Sequence, residues 1–507
     1  METWSIILLT ISISLLLKAF LSLFSTSKAL PYTLPPSPPT FPFIGNFLWI
    51  RKPAFQIEQS IRHLRRTLGP ILTLHSGPHP SIFVFDRSLA HQALIQGGSL
   101  FSDRPKSGPA NNIMNSNQHN ISSGSYGPLW RLFRRNMTSG ILHPSRVKSY
   151  AHAGKWVLNI LFDSLQKQAK SGDQSVQVLA HFQYANLCLL GLMCFGDKLS
   201  EEQIKEIGAV QRRVLTGFGR FKLLNFWPGI TRILLRKQWD QLLNLRKDLE
   251  DVFIPLIRAR KQAKTDDSVL AYVDTLFDLE LPEEKRKLDE KEIVTLASEF
   301  ITAGHDSTST ALQWIMANLV RHPQIQERLF LEIKGVVGDD NNGVGEIRQD
   351  DLQELPYLKA VVLEGLRRHP PAHMVPHCVT EDTVLGGYLV PKSGAINFMV
   401  ADMGWDPAVW EDPMAFKPER FMASGGGGEV FDITGSREIK MMPFGVGRRI
   451  CPGLGLALLH LEYFVANLVW RFEWNAMDGD ETSLEEKMEF TIVMETPLMA
   501  HITTRKR

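Results

Sequence analysis

Residues 441–464 read MMPFGVGRRICPGLGLALLHLEYF. One cysteine, Cys451, stands among three glycines (Gly445, Gly447, Gly453), two arginines and a proline, and an apolar helical run follows at once. The chain has four cysteines, and the other three (Cys188, Cys194, Cys378) sit in apolar or mixed stretches. Pro452 suits a first helical turn, so the spacing predicts Cys451 at a helix N-terminus. Exposed amides and the helix dipole there favour a thiolate. The glycines let the backbone approach something flat and bulky, Phe444 can pack on it, and Arg449 offers a charge to a carboxylate. That is the environment an iron porphyrin with an axial sulfur needs. An inert thiol buried in a turn is the other reading.

Three more stretches carry candidate chemistry. EGLRR sets Glu364 and Arg367 at i, i+3 on one helical face, by itself a surface pair worth about 0.2–0.5 kcal/mol. YGPLWRLFRRN sets Trp130 and Arg134 at i, i+4, on one side of a helix; with two further arginines, a plain basic face is the alternative. AGHDSTS, residues 303–309, puts Asp306 and Ser307 inside an apolar helix, where an acid and a hydroxyl cost energy unless satisfied or used. Ser307 can divert a backbone hydrogen bond, and Gly304, one turn away, leaves room for a small ligand. At about 100° per residue, Ser307 shares a face with Ala303 and Gly304, while His305 points about 200° away from it.

FGVGRRICPG, residues 444–453, matches the heme-binding loop of the cytochrome P450 family (F-x-x-G-x-R-x-C-x-G) at every fixed position. The resemblance covers the whole chain in order and is to a plant-type, endoplasmic-reticulum-anchored member. RRHPPAHMVPHCVTEDTVLGGYLVPKSGAINFMV looks closest to the plant families numbered 89 and 77. The resemblance implies heme b with Cys451 as axial iron ligand. It puts Trp130 and Arg134 (W-x-x-x-R), Arg449 and His377 toward the heme propionates, with Phe444 and Gly453 lining the cofactor. It joins Arg420 of FKPERF to Glu364 and Arg367 in a buried structural network. AGHDSTS resembles the oxygen-activation motif, with Ser307 where the family has threonine: the hydroxyl is kept and the methyl lost. Substrate-lining residues by the same analogy are Phe218, Phe300, Ala303, Gly304, Met374, Val375, Ile492 and Val493, a predominantly apolar set.

At 507 residues with a net charge of +2 and no long basic run, nothing points to nucleic acid. Four scattered cysteines do not make a disulfide framework. WSIILLTISISLLLKAFLSLF, residues 4–24, has the length of a bilayer-spanning helix. Glu2 precedes it, while Lys18, Lys28, Arg51 and Lys52 lie at its far end or beyond, which favours a retained anchor with a cytosolic body over a cleaved signal. The proline-rich LPYTLPPSPPTFPFIGN, residues 30–46, reads as a stiff spacer. The expected organisation is an anchor over 1–28, a hinge over 29–46, and one catalytic domain over 47–507, because motifs more than 300 positions apart serve one cofactor. The expected class is mainly α with small β-sheets.

LDEKEIVTLASEFITAGHDSTSTALQWIMANLVRHP is the strongest helical segment: Asp289 and Glu292 have capping-box spacing, and Pro323 stops it. About 30 residues at 1.5 Å each make a rod of about 45 Å. TVLGGYLVPKSGAINFMV, residues 383–400, reads as strands, and SGGGGE, residues 424–429, as a loop. The function implied is a membrane-bound heme monooxygenase that splits O2 and oxidises an apolar small molecule, with electrons from an NADPH-dependent reductase flavoprotein. A peroxide isomerase or dehydratase needing no reductase is the alternative within enzymes, and a heme sensor the alternative outside them.

Overall fold

The computed structural model describes residues 54–76, 79–171, 175–225, 228–263, 269–338, 346–422, 431–477 and 482–505, with residues 10, 12–14, 16 and 32–39. Residues 10, 12–14 and 16 are helical and exposed; the rest of the expected anchor lies outside the described residues, as does the glycine loop 424–429. Residues 32–39 form no helix, as their prolines require.

The described chain falls into two compact units. The smaller holds residues up to Ser102 together with Pro376–Phe398. Its helix Ala54–Leu68 precedes an antiparallel pair, Ile71–Ser76 with His79–Val84, and Ile71 stands opposite Val84. Ala395–Met399 pairs parallel to the second strand, Ser81 opposite Ala395. Leu72, Ile82, Val84, Ile396 and Phe398 are fully buried, the pattern of strands covered on both faces. Thr383–Leu385 and Tyr388–Val390 form the short hairpin that the glycine pair between them predicts.

The larger unit, Asp103–Val375 with Met399–Arg507, is mostly helical and is organised on one long helix, Glu290–Arg321, 32 residues in length. Its start is the expected capping box: Asp289 accepts from the Glu292 amide, and Glu292 from the Asp289 amide, both at 2.8 Å. It ends where Pro323 opens the next helix. From Thr308 to Val320 it is buried all round, so helices must cover every side. Its closest neighbour is Val178–Phe195, which is itself buried over nearly its whole length. Among the described residues that helix alone is long and apolar enough to cross a membrane, but its burial marks it as a core helix. The carboxy-terminal helix Leu454–Arg471 and the helix Pro356–Arg368 pack on the same rod. Two small antiparallel sheets complete the unit: Met499–Thr504 between Ser175–Gln177 and Phe472–Asn475, and the hairpin Glu486–Met488 with Ile492–Met494. The architecture is the predicted one, mainly α with small sheets.

Gly365 shows how close the covering helices come. A Cβ there would stand 2.4 Å from Ile315 Cγ1 on the long helix. Gly365→Ala must therefore push Pro356–Arg368 off its partner, and overpacking of this kind costs about 1–3 kcal/mol. A lower Tm than wild type in thermal unfolding is the expected outcome.

Candidate active site

The loop that ends in Cys451 is closed by its own backbone. The Cys451 amide donates to the Phe444 carbonyl at 2.8 Å, Gly445 to Met442 at 2.9 Å, and Ile450 to Gly447 at 3.1 Å. Gly445 and Gly447 have φ of 65° and 71°, left-handed conformations that cost most other residues energy. These two glycines are thus required by the turn itself. The helix begins at Leu454 with Gly453 as cap, so Pro452 precedes the first turn rather than opening it, and Cys451 stands two residues before the cap, at the helix's amino-terminal end. Burial is the largest influence on the half-buried thiol and pushes its pKa up. The Gly453 amide, hydrogen-bonded to the sulfur, and the charge of Arg134 pull it down.

Around this loop the larger unit gathers cations and few anions. Arg134 lies on the helix Pro128–Gly140, half-buried. Its guanidinium has no hydrogen bond and no carboxylate partner among the described residues, stands 6.0 Å from the centre of the Trp130 ring, and burial lowers its pKa. Arg449 is buried and donates to the Ile121 and Gly124 carbonyls at 3.1 and 2.6 Å. Its guanidinium stands 4.3 Å from the centre of the Trp130 ring. Burial, with the like charges of Arg104 and Arg134, brings its pKa down to about 9, against the pull of Asp103. Two crowded, desolvated cations beside a thiol form a site that gains from an anion, which fits the carboxylates of a porphyrin. The Trp130 indole is less available than expected: its N–H donates to Ile121 O at 3.0 Å. His377 belongs to the smaller unit, buried, with Nδ1 2.7 Å from the Phe101 carbonyl. Phe444 is half-buried and packs against two core clusters.

The Glu364 carboxylate is fully buried and fully used. Arg367 Nε and Nη2 grip it at 2.7 and 2.8 Å, the Lys417 amide donates at 2.8 Å, and Arg420 Nε at 3.3 Å. Arg367 also donates to the carbonyls of Gly404, Pro413 and Ala415. The sequence pair that alone looked like a surface contact is therefore the centre of a buried network, and Arg420 belongs to it.

Along the long helix one stripe stays accessible: Glu299, Ala303 and Ser307, at i, i+4 and i+8. The facing argument from sequence holds, because His305 is buried on the opposite side. Its Nδ1 has no hydrogen-bond partner among the described residues, and burial lowers its pKa to about 4. Ser307 Oγ donates to Ala303 O at 2.6 Å, though the helix continues unbroken. Asp306 accepts from Thr491 Oγ1 at 2.7 Å, and burial raises its pKa. A Cβ at Gly304 would stand 3.0 Å from Leu190 Cδ1, so the Val178–Phe195 helix also comes close at this glycine.

The expected substrate-lining set divides. Ala303 and Met374 are exposed, Gly304 and Val375 half-buried. Phe300 is buried, its ring 4.9 Å from that of Tyr272, and so belongs to the core. Ile492 is buried beside the half-buried Val493 on the Ile492–Met494 strand. The Phe218 side chain lies outside the described residues.

Three side chains escaped the sequence reading. Asn186 donates to the carbonyls of Gly304 and His305 at 3.0 and 3.1 Å. Glu299 accepts the amides of Ile121 and Ser122 at 2.9 and 2.6 Å. Thr491 reaches Asp306. Only Glu299 left a signal, its i−4 spacing from Ala303; the other two come from distant segments.

The family model Cytochrome P450 matches residues 35–502. The chain belongs to the cytochrome P450 family. It is 51% identical to cytochrome P450 89A9 of Arabidopsis thaliana over the whole of both chains. It is 28% identical to flavonoid 3'-monooxygenase of the same plant, covering 97% of this chain and 96% of that one, and 29% identical to tryptamine 5-hydroxylase of Oryza sativa subsp. japonica, covering 99% and 96%. A zebra fish cytochrome P450 structure with progesterone shares the fold: TM-score 0.73 and 23% identity, over 88% of this chain and 99% of that chain. The resemblance to plant family 89 is thus borne out. The protein is a P450 monooxygenase, an oxidoreductase of a family that binds heme and uses O2 with NADPH through a reductase.

In this P450, removing Glu364 would leave Arg367 charged and unpaired at zero exposure. Breaking a buried pair from one side costs about 3–5 kcal/mol. Glu364→Ala is expected to lower Tm sharply and to reduce the yield of folded protein. Arg420→Lys, which loosens the 3.3 Å contact to Glu364 and the bonds to the Asp412 and Ala415 carbonyls but keeps the charge, should cost much less in the same measurement.

Proposed function

We propose that this P450 inserts one oxygen atom of O2 into an apolar small molecule at the endoplasmic reticulum membrane, its body cytosolic, with electrons from an NADPH-dependent reductase flavoprotein. The observation that carries the reading is the accessible stripe with the Ser307 hydroxyl on a helix buried over most of its length, with a buried carboxyl at the adjacent residue. Heme held by Cys451 sulfur would supply the oxygen chemistry. Arg134 and Arg449 would neutralise the cofactor's carboxylates, while Phe444 and Gly453 would line its face. Ser307 orients protons at its Oγ, and Asp306 holds one at its carboxyl. Glu364, Arg367 and Arg420 keep the Cys451 side of the fold rigid.

The family match spans both compact units, which supports one catalytic domain over 47–507, preceded by the anchor over 1–28 and the hinge over 29–46. Ala303, Met374, Val375 and Val493 are the side chains left to touch substrate. Both relatives with a substrate in their names act on aromatic small molecules, in keeping with that apolar set. Nothing favours a peroxide isomerase or a sensor. Profiling of metabolites turned over by the purified protein with reductase and NADPH tests the reading. Substrate-dependent NADPH consumption is expected, and its absence would sink it.

Cys451→Ala should abolish turnover and the red-shifted Soret band that a thiolate-ligated ferrous heme gives with carbon monoxide. A variant that keeps the band has another ligand. Ser307→Ala should keep heme and the band but divert electrons to peroxide, lowering product per NADPH by roughly tenfold or more. His305→Thr, on the buried face with an imidazole already neutral, should leave that ratio nearly unchanged.

A further inference from the structure

Asp306 and Ser307 are neighbours in sequence, yet they meet different partners. Helix geometry sets them about 100° apart. The Ser307 hydroxyl bonds back to Ala303 O, while the Asp306 carboxyl turns to the hairpin Glu486–Met488/Ile492–Met494. The contact there is buried on all sides: Asp306 is 4% exposed, Thr491 5% and Thr310 2%. Thr491 Oγ1 gives its proton to Asp306 Oδ2 at 2.7 Å, and Thr310 Oγ1 lies 3.1 Å from the same hydroxyl. A hydroxyl has one proton. With that of Thr491 committed to the carboxyl, Thr310 must be the donor in the second contact. The chain therefore runs one way, Thr310 to Thr491 to Oδ2, and Oδ1 is the oxygen left to hold a proton.

We propose that Thr491 is the positioning residue for Asp306, fixing which carboxyl oxygen carries the proton destined for the Ser307 face and making that supply depend on the place of the 486–494 hairpin. This rests on the reading of Asp306 and Ser307 as the proton-handling pair. The hairpin tip is held from several sides. Glu489 N–H donates to Thr491 O at 3.0 Å, closing the turn. Glu489 pairs with Arg212 at 2.8 Å and Lys487 at 3.2 Å. Trp314 Nε1 donates to Ile492 O at 2.7 Å, and Ile492 N–H to Pro371 O at 2.9 Å. Glu486 at its base meets His369 at 2.9 Å. Two residues beyond Thr491 stands Val493, one of the side chains assigned to substrate. A ligand pressing on Val493 thus acts on the residue that orients the acid, and a poor fit displaces both. Among the described residues the hydroxyl bonds only Asp306 and Thr310, so removing it leaves the buried carboxyl without this donor.

Thr491→Val keeps the shape and removes the donor; Thr491→Ala replaces it should the first fail to fold. With reductase, NADPH and substrate, the variant is expected to keep heme content and the carbon monoxide spectrum of wild type. Product per NADPH should fall several-fold, and the solvent deuterium isotope effect on NADPH oxidation should change. Thr491→Ser, which retains the hydroxyl, should bring both back toward wild type. Independently of turnover, Tm shifts of heme-loaded Thr491→Val, Asp306→Asn and the double variant should be non-additive. Wild-type coupling and isotope effect in Thr491→Val, or additive Tm shifts, would overturn the proposal. If wild type itself draws no electrons from the reductase, it is the proposed function that fails, and the Tm cycle still decides the Thr491–Asp306 contact.

Discussion

A carboxylate without access to water needs every lone pair answered, and Glu364 is such a carboxylate. Its four donors come from a side chain on its own helix, a backbone amide at Lys417 and a second arginine at position 420. Arg367 in turn spends its remaining N–H groups on three carbonyls between Gly404 and Ala415. The desolvation cost of two buried charges is offset only when this geometry is complete. The network therefore gives these segments one arrangement rather than a continuum of them. The helix that carries it packs on the long rod through Gly365 and Ile315, so the segments it ties are referenced to the same rod that bears the candidate oxygen-handling residues.

The rod works by dividing its faces. Burial on nearly all sides removes water from its backbone and leaves few polar side chains a choice of partner. Asn186 takes two carbonyls in the turn where Ser307 takes a third, so three consecutive carbonyls at 303–305 each accept an extra side-chain donor. Gly304 lets the neighbouring helix come close enough for Asn186 to reach. The result is a stretch whose hydroxyl faces the open stripe, whose histidine is buried neutral, and whose acid is held by another part of the chain. Chemistry and packing share one turn of helix, and the residues between Ala303 and Ser309 are legible only when both are considered.

Much of the fold was open to reading from patterns that are local. The capping box at Asp289, the stop at Pro323, the alternation with glycine and proline after Thr383, and the glycines around Cys451 all act over a few residues. Backbone geometry there depends little on what is far away. The direction of His305 followed from helical periodicity alone. Where local patterns say nothing, a partner from elsewhere decided the outcome. Asp306 bonds Thr491, 185 positions on. The Trp130 N–H meets Ile121, and Phe300 finds Tyr272. The last helix starts past Pro452, at Leu454, where Gly453 O is the first carbonyl to accept in the helical pattern, from the Ala457 amide.

The sequence by itself determined the class of the protein. The cysteine loop, the arginine pair and the acid with its hydroxyl are residue types that only a narrow chemistry requires at those spacings, and local geometry sets them on their elements. Tertiary structure alone decided which of them touch. Hydrogen bonds of 2.6–3.0 Å between residues a hundred or more positions apart depend on how whole helices dock, and docking is a property of many weak contacts summed over the core. No short pattern encodes that sum, so the clamp on Asp306, the hold of Asn186 on the long helix and the crowding of Arg134 with Arg449 appear only in the folded chain.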